Sequence, residues 1–411
     1  MELKTEIKEK NGFGALLQYP DFLKIWFGRT ISRFGDALDG IAFMWLMYKL
    51  TGSTVLMGTV MAVSAIPSMF GMAAGVLVDR MEKRKIMVWM DLLRGISTGV
   101  IALLFMTDAL QVWQLCAFAF FNSVCEVFSS PARSSAMQVL VRKEHYLTSN
   151  SLSQASGAMA EILGMGVAAA IIGLWGVGIA ILIDAITFIV SGLTAMTARI
   201  EHIVSSTEPL NFSVFFKELF EGLQIIKSNT LIFINITLGC LINILLAPFN
   251  VFMPAYSDKV LHAAEEGYSM MGIAFMVGTI LGAMALGQIG HRFKKSTIII
   301  GGFILFGFSL GTLGFIDTLI PAVTACVAMG VCLPIISATG ASVVQTHTPR
   351  EKMGRVSSTN NTIALLGLPL GYAVSGFMGQ NINIQITYMI LGAMIILVCI
   401  PPLFNKEFRK S

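Results

Sequence analysis

Arg29, Arg33, Asp36, Asp39, Asp91, Arg94, Glu126, Glu161 and Asp184 stand inside long apolar stretches of a 411-residue chain of which only 13% is charged. On insertion scales a charge at the centre of a membrane helix costs about 2.5 to 3.5 kcal/mol, so the four in the first stretch would cost on the order of 10 kcal/mol if they faced lipid. They must face one another, groups on other helices, or water. Arg29, Arg33 and Asp36 follow i, i+4, i+7 spacing and share a helix face, with Asp39 at its edge. Arg29 lies near a boundary and can extend its head toward the surface. Arg33 and Asp36 are deeper, and read either as part of a solute pathway or as a structural ion pair. Asp91 and Arg94, at i and i+3, predict a pair within one helix. Glu126, Glu161 and Asp184 complete the set, and Glu126 and Asp184 have no such local partner. A carboxylate withdrawn from water takes up a proton more readily, which is the exchange that proton coupling requires. The alternative is a carboxyl bonded permanently to a hydroxyl or backbone group. All of these charges precede residue 200, whereas the later stretches offer neutral polar groups: Asn235, Asn243, Asn250, Asn360 and Asn361.

The elements that must position these groups are set by length. About 20 mostly apolar residues cross about 30 Å of hydrocarbon as a helix. Twelve such runs are predicted, at 25–48, 54–76, 86–106, 111–130, 153–174, 177–197, 231–254, 268–289, 297–316, 319–338, 357–378 and 384–403. Twenty-three of the 28 Lys and Arg fall in the two tails and in alternate connections, while the opposite connections hold Lys49 and Lys259 and three more lie within runs. Basic connections mark the cytoplasmic side, so both ends are predicted to be cytoplasmic in a multi-pass protein of the cell membrane. A hydrophobic content of 55% and a mean hydropathy of +0.75 agree. Residues 1–18 mix Lys and Glu without the apolar core of a cleaved signal, so the first run is expected to direct insertion.

Other chemistries find little support. The net charge of +4 is spread over membrane-flanking segments and argues against nucleic acid. The six cysteines fall within runs, at no metal-ligand spacing, and read as packing residues. The five His (145, 202, 262, 291 and 347) are all predicted to lie in loops, and no Gly-rich phosphate loop with Lys and Ser or Thr occurs. Neither an enzyme, a metal centre nor a cofactor is expected. The 25 Met and 28 Phe suit adaptable walls for lipophilic ligands, though most are ordinary core or lipid-facing residues.

The chain also divides. Arg199 to Thr230 is the longest polar connection, and within it Phe212, Phe215, Phe216, Leu219, Phe220, Leu223 and Ile226 form the stripe of an amphipathic helix, expected in the cytoplasmic interface. Gly75 to Lys83 aligns with Gly287 to Lys295 at an offset of 212. The predicted fold is therefore all-α: twelve transmembrane helices in two pseudo-symmetric six-helix bundles, residues 1–200 and 230–411, joined by 201–229.

Gly75 to Lys85, with Asp79-Arg80 followed by Lys83-Arg84-Lys85 between the second and third runs, resembles motif A of the major facilitator superfamily. Ser32-Arg33-Phe34-Gly35-Asp36, Leu50-Thr51-Gly52-Ser53, Pro131-Ala132, Ser149-Asn150-Ser151-Leu152, Phe220-Glu221-Gly222-Leu223, Pro349-Arg350-Glu351 and Gly354-Arg355-Val356 look like its drug-efflux branch, which includes macrolide and enterobactin exporters. The chain departs from that branch at Gly164-Met165-Gly166, where the Pro of the usual Gly-Pro pair is absent, and at Glu82, which replaces a Gly. The resemblance implies a secondary transporter that exports amphiphilic, macrolide-like or multidrug substrates by proton antiport and works as a monomer. It also implies a gate at Gly75, Asp79, Arg80, Lys83 and Arg84, with Asp79 latching the cytoplasmic side; the plainer reading is a topogenic basic loop with an incidental acid. Arg33, Asp36, Glu126, Glu161 and Asp184 are then candidates for coupling or substrate contact, and Asn243, Asn250, Asn360 and Asn361 for polar groups of the cavity. Alternatives are a siderophore exporter, a lysophospholipid flippase or, in another class, a membrane sensor or assembly factor.

Overall fold

A computed structural model describes residues 13–78, 80–200, 212–289, 293–349, 352–405 and 407–408. Among these there is no strand. The helices are α1 (Pro20–Thr51), α2 (Thr54–Ala65), α3 (Gly71–Val78), α4 (Lys83–Met106), α5 (Val112–Leu140), α6 (Tyr146–Trp175), α7 (Val177–Thr197), α8 (Phe212–Ser228), α9 (Thr230–Lys259), α10 (Ala264–Ile289), α11 (Lys295–Thr312), α12 (Leu319–His347), α13 (Met353–Asn381), α14 (Ile384–Val398) and α15 (Ile400–Leu403). Local chemistry sets several ends. Gly52 closes α1 in the left-handed conformation at φ 57°, and the side chains of Ser53, Asn229 and Asn383 cap α2, α9 and α14 by accepting backbone N–H groups.

Nine helices among the described residues are long and apolar enough to cross a membrane. The other three predicted runs differ for identifiable reasons. α1 has the length but carries the four internal charges. The run 54–76 is divided at Ile66 and Pro67, where a 3-10 turn separates α2 from α3. The run 357–378 lies on α13, whose apolar part spans Thr362–Gly376. α5 and α12 run well past their predicted ends. As a result Arg133, read as a basic loop residue, is inside α5 and buried, and His347, read as a loop residue, is the last residue of α12. All six cysteines are free thiols.

α1 packs on α6 and α7, and α4 on α5 and α7; further along the chain α9 packs on α13, α10 on α12, and α11 on α12 and α14. α2 with α13 and α6 with α10 join the earlier helices to the later ones. α8 packs on α9 and α13, with Ile226 buried beside Ile232 and Ile236 and Phe220 exposed. Its stripe thus seats against the later helices at its C-terminal end; the side chains of 212–219 are outside the described residues.

Candidate charge network and central cavity

The membrane-embedded charges sort into two arrangements of different character. Asp91 on α4 accepts from Arg133 and Ser129 on α5 and from Ser191 on α7, the last at 2.7 Å. The Asp91 and Arg133 side chains are only 1% and 6% exposed, so this is a dry ion pair with extra hydrogen bonds on its oxygens. The expected Asp91–Arg94 pair within α4 does not form. Arg94 instead donates to Asp36 on α1 at 2.8 Å and to Glu126 on α5 at 2.6 Å, with its guanidinium 4.0 Å from the Phe188 ring centre. Two carboxylates from separate helices satisfy the planar guanidinium fork better than one neighbour on the same helix can. Arg94 is buried, but the Asp36 and Glu126 side chains are 38% and 48% exposed. Arg94 therefore joins a sealed protein interior to an open surface.

Glu126, read as lacking a local partner, finds one across the bundle. Arg33, considered beside Asp36, faces Glu161 on α6 at 3.7 Å. Asp184 is buried and accepts from Thr187 at 3.1 Å. It lies so close to α1 that a Cβ at Gly35 would meet Asp184 Oδ1 at 2.2 Å, so only glycine lets these helices approach one turn from Asp39. Asp39 Oδ1 is buried with no hydrogen-bond partner among the described residues. Asp36, Asp39, Glu126 and Asp184 therefore share the surroundings of Arg94, while Glu161 and Arg33 make a separate pair.

In the motif A region, Asp79 lies outside the described residues. Gly75 has open space around it, Lys83 opens α4 and is buried, and an Arg84 N–H donates to the Met196 carbonyl on α7. On α6, a Cβ at Gly164 would collide with the Phe34 carbonyl of α1, whereas one at Gly157 would meet open space.

Asn243 and Asn360 line a cavity of about 360 Å³ bounded by α9, α11, α12 and α13, with Asn235, Ser337 and Gln345. Asn250 is exposed and outside that lining, and the Asn361 side chain is outside the described residues. A smaller apolar hollow of about 180 Å³ lies between Ile66, Phe70, Phe120 and Phe128.

One contact had a weak sequence signal. The Tyr48 hydroxyl at the end of α1 donates to Asp258 on α9 at 2.8 Å, with the Lys259 ammonium 5.9 Å from the Tyr48 ring centre. Lys49 and Lys259 were the two exceptions to the alternation of basic connections, and both flank this contact. Beside it α2 and α13 pack closely: a Cβ at Gly58 would meet the Tyr372 carbonyl at 2.7 Å, and one at Gly379 would meet the Thr54 side chain, at Oγ1, at 2.0 Å. Met165 on α6 reaches Gly272 on α10. Gly157 and Gly287, near the other ends of the same two helices, have open space. The earlier and later helices are joined at the ends that carry Tyr48 and Asp258.

A bundle of apolar helices with paired internal charges and an interior cavity is the architecture of a membrane transporter, and the sequence profile of the Major Facilitator Superfamily matches residues 25–372 and 268–410. The chain belongs to that superfamily, a family of transporters rather than enzymes, and is a multi-pass membrane protein that handles a small-molecule substrate. Its relatives include efflux pumps. It is 26% identical to macrolide efflux protein A of Streptococcus pyogenes over 392 residues, 95% of this chain and 96% of the relative. With the multidrug efflux pump Tap of Mycolicibacterium fortuitum it shares 22% over 395 residues, covering 94% and 96%. Among solved structures it is similar in fold to the nucleoside transporter NupG, with a TM-score of 0.76 at 13% identity over 93% of this chain and 98% of that one. It also resembles a bacterial homologue of the human lysosomal transporter Spinster in an inward-facing, unoccupied conformation, with a TM-score of 0.70 at 13% identity, covering 95% and 96%.

Proposed function

We propose that this chain is a secondary active exporter of amphiphilic small molecules in the cell membrane, built as two six-span halves, residues 1–200 and 230–411, with both ends cytoplasmic. The names of its relatives support export. Arg94 held between Asp36 and Glu126 carries the mechanism: protonating either carboxylate removes one of its two anchors, and the guanidinium is then free to favour another arrangement. Because Asp36 and Glu126 are half-open while Arg94 is buried, a proton or a cationic solute reaches the acids without unpacking the helices.

The halves then rock against one another in alternating access. The Tyr48–Asp258 contact and the α2–α13 seam favour a state closed on the outer side and open toward the basic connections. Closing the inner side is the task assigned to Gly75, Asp79, Arg80, Lys83 and Arg84, with Asp79 as the latch. Asp79→Asn is expected to weaken transport at near-normal expression and to leave the cavity more accessible from the cytoplasm; normal transport would reduce the loop to a topology signal.

The coupling reading is tested in proteoliposomes with an imposed pH gradient. Asp36→Asn or Glu126→Gln is expected to abolish uphill efflux while downhill exchange persists, since binding and rocking need no net proton transfer. Asp184→Asn is the third variant, and parental uphill rates in all three would make these acids structural. Accumulation in cells with and without the protein, across macrolides, siderophores and lysophospholipids, decides among the substrate classes.

A further inference from the structure

Among the described residues, the later helices hold a cavity with no charged lining residue, whereas the deep ion pairs lie in the earlier helices. Its polar lining is mostly carboxamide. Asn235 Nδ2 donates to the Gly340 carbonyl at 2.7 Å, and Asn243 Nδ2 approaches the Ala364 carbonyl at 3.4 Å. The Asn235 amide lies over Gly340, where an added Cβ would come within 2.9 Å of its Oδ1. Each of these amides is thereby oriented by one of its N–H groups and keeps a carbonyl oxygen and a second N–H for another partner. Asn360 adds a third amide, and Phe303, Leu333, Ile336 and Val344 supply apolar wall.

This lining selects by chemistry. A cation or anion placed here would lose hydration with no opposite charge to replace it. A hydroxyl donates and accepts at once, and so matches the paired donor and acceptor of a carboxamide. About 360 Å³ is near the lower end of the roughly 300 to 1,000 Å³ of small-molecule sites, room for one ring-sized portion of a larger amphiphile. We propose that the cavity between α9, α12 and α13 binds the uncharged, hydroxyl-bearing part of an amphiphilic substrate, with Asn235, Asn243 and Asn360 as its hydrogen-bonding partners. The assignment rests on the export reading and divides the work: the earlier helices handle charge, the later ones recognise neutral polar groups.

The test uses the full chain in lipid nanodiscs with three probes: erythromycin, which carries several hydroxyls; its O-methylated derivative; and tetraphenylphosphonium, a lipophilic cation with no hydrogen-bonding group. Asn360→Leu and Asn243→Leu keep the branched side-chain shape and remove the amide. Each is expected to weaken erythromycin binding about tenfold, to leave tetraphenylphosphonium binding unchanged, and to bind the O-methylated derivative as the parent does. Asn235→Ser is a milder third variant with the same expected pattern should a leucine variant fail to assemble. Unchanged erythromycin affinity in the variants overturns the assignment. So does an equal loss of tetraphenylphosphonium, which would mark the amides as structural. A parent chain that exports tetraphenylphosphonium from cells but does not bind erythromycin also overturns it while leaving export intact. If neither probe is exported this assignment is overturned, and export of no compound in the macrolide, siderophore and lysophospholipid panel removes the export reading with it.

Discussion

Asp91 and Arg94 are three residues apart on one helix, yet their side chains serve different networks, and the difference predicts different mutants. Asp91–Arg133 is dry, and both carboxylate oxygens of Asp91 accept hydrogen bonds. Removing one partner leaves a buried charge alone, which typically costs about 3 to 5 kcal/mol. Asp91→Ala is expected to lower the yield of folded protein and its melting temperature in detergent, and Arg133→Leu with Asp91→Leu together to recover much of the loss. Asp36→Asn and Glu126→Gln, at half-open positions, should fold near normally and act on transport. Equal damage from both kinds of variant, measured by size-exclusion profile and melting temperature, would erase the distinction. At this scale the kinds of residue were legible in the sequence and their partners were not. Arg94 meets groups 58 and 32 positions away, and no local spacing rule reaches across helices.

At the scale of elements, the contact between α1 and α9 and the seam between α2 and α13 join the earlier helices to the later ones, and under the proposed function they close one side. The seam depends on small residues: a Cβ at Gly58 would collide with the backbone of Tyr372 and Gly376, and one at Gly379 with the side chains of Thr54 and Phe252. The Tyr48–Asp258 hydrogen bond adds a polar clasp at its rim. A single hydrogen bond contributes about 0.5 to 1.5 kcal/mol net, so Tyr48→Phe is expected to raise the outward-open population roughly two- to tenfold. Val55 faces Gly376 across the seam, and Val55→Cys in a Cys-free background reports the opening. Its labelling by an impermeant thiol reagent from outside should rise when Tyr48→Phe is added. No change would place the clasp outside the gating motion. The helices themselves were largely readable, since an apolar run of this length can satisfy its backbone in lipid only as a helix. Their ends were less so: α5 continues through Pro131 to Leu140 because Arg133 is neutralised by Asp91, a partner that the run length does not reveal.

For the whole molecule, the alternation of basic connections makes a prediction independent of any pairing. Gly52→Cys, Ala109→Cys and Gln380→Cys, each alone in a Cys-free background, should react with an impermeant thiol reagent on intact cells, whereas Thr207→Cys should not. Labelling at 207 from outside would overturn the assignment of both ends and the linker to the cytoplasm. The sequence by itself determined the class of protein: its apolar runs exceed what a soluble core can use, and the Asp79-Arg80 motif with its following basic run carries the family. Both signals are local, readable within about twenty residues. The tertiary structure alone decided that Arg94 joins α1 to α5, that Asp91 belongs to a sealed pair, that Tyr48 meets Asp258, and that the carboxamides of α9 and α13 line one cavity. The physical reason is the bilayer. It forces every segment into the same helix regardless of sequence detail, and leaves the placement of each polar group to the partner that another helix brings within reach.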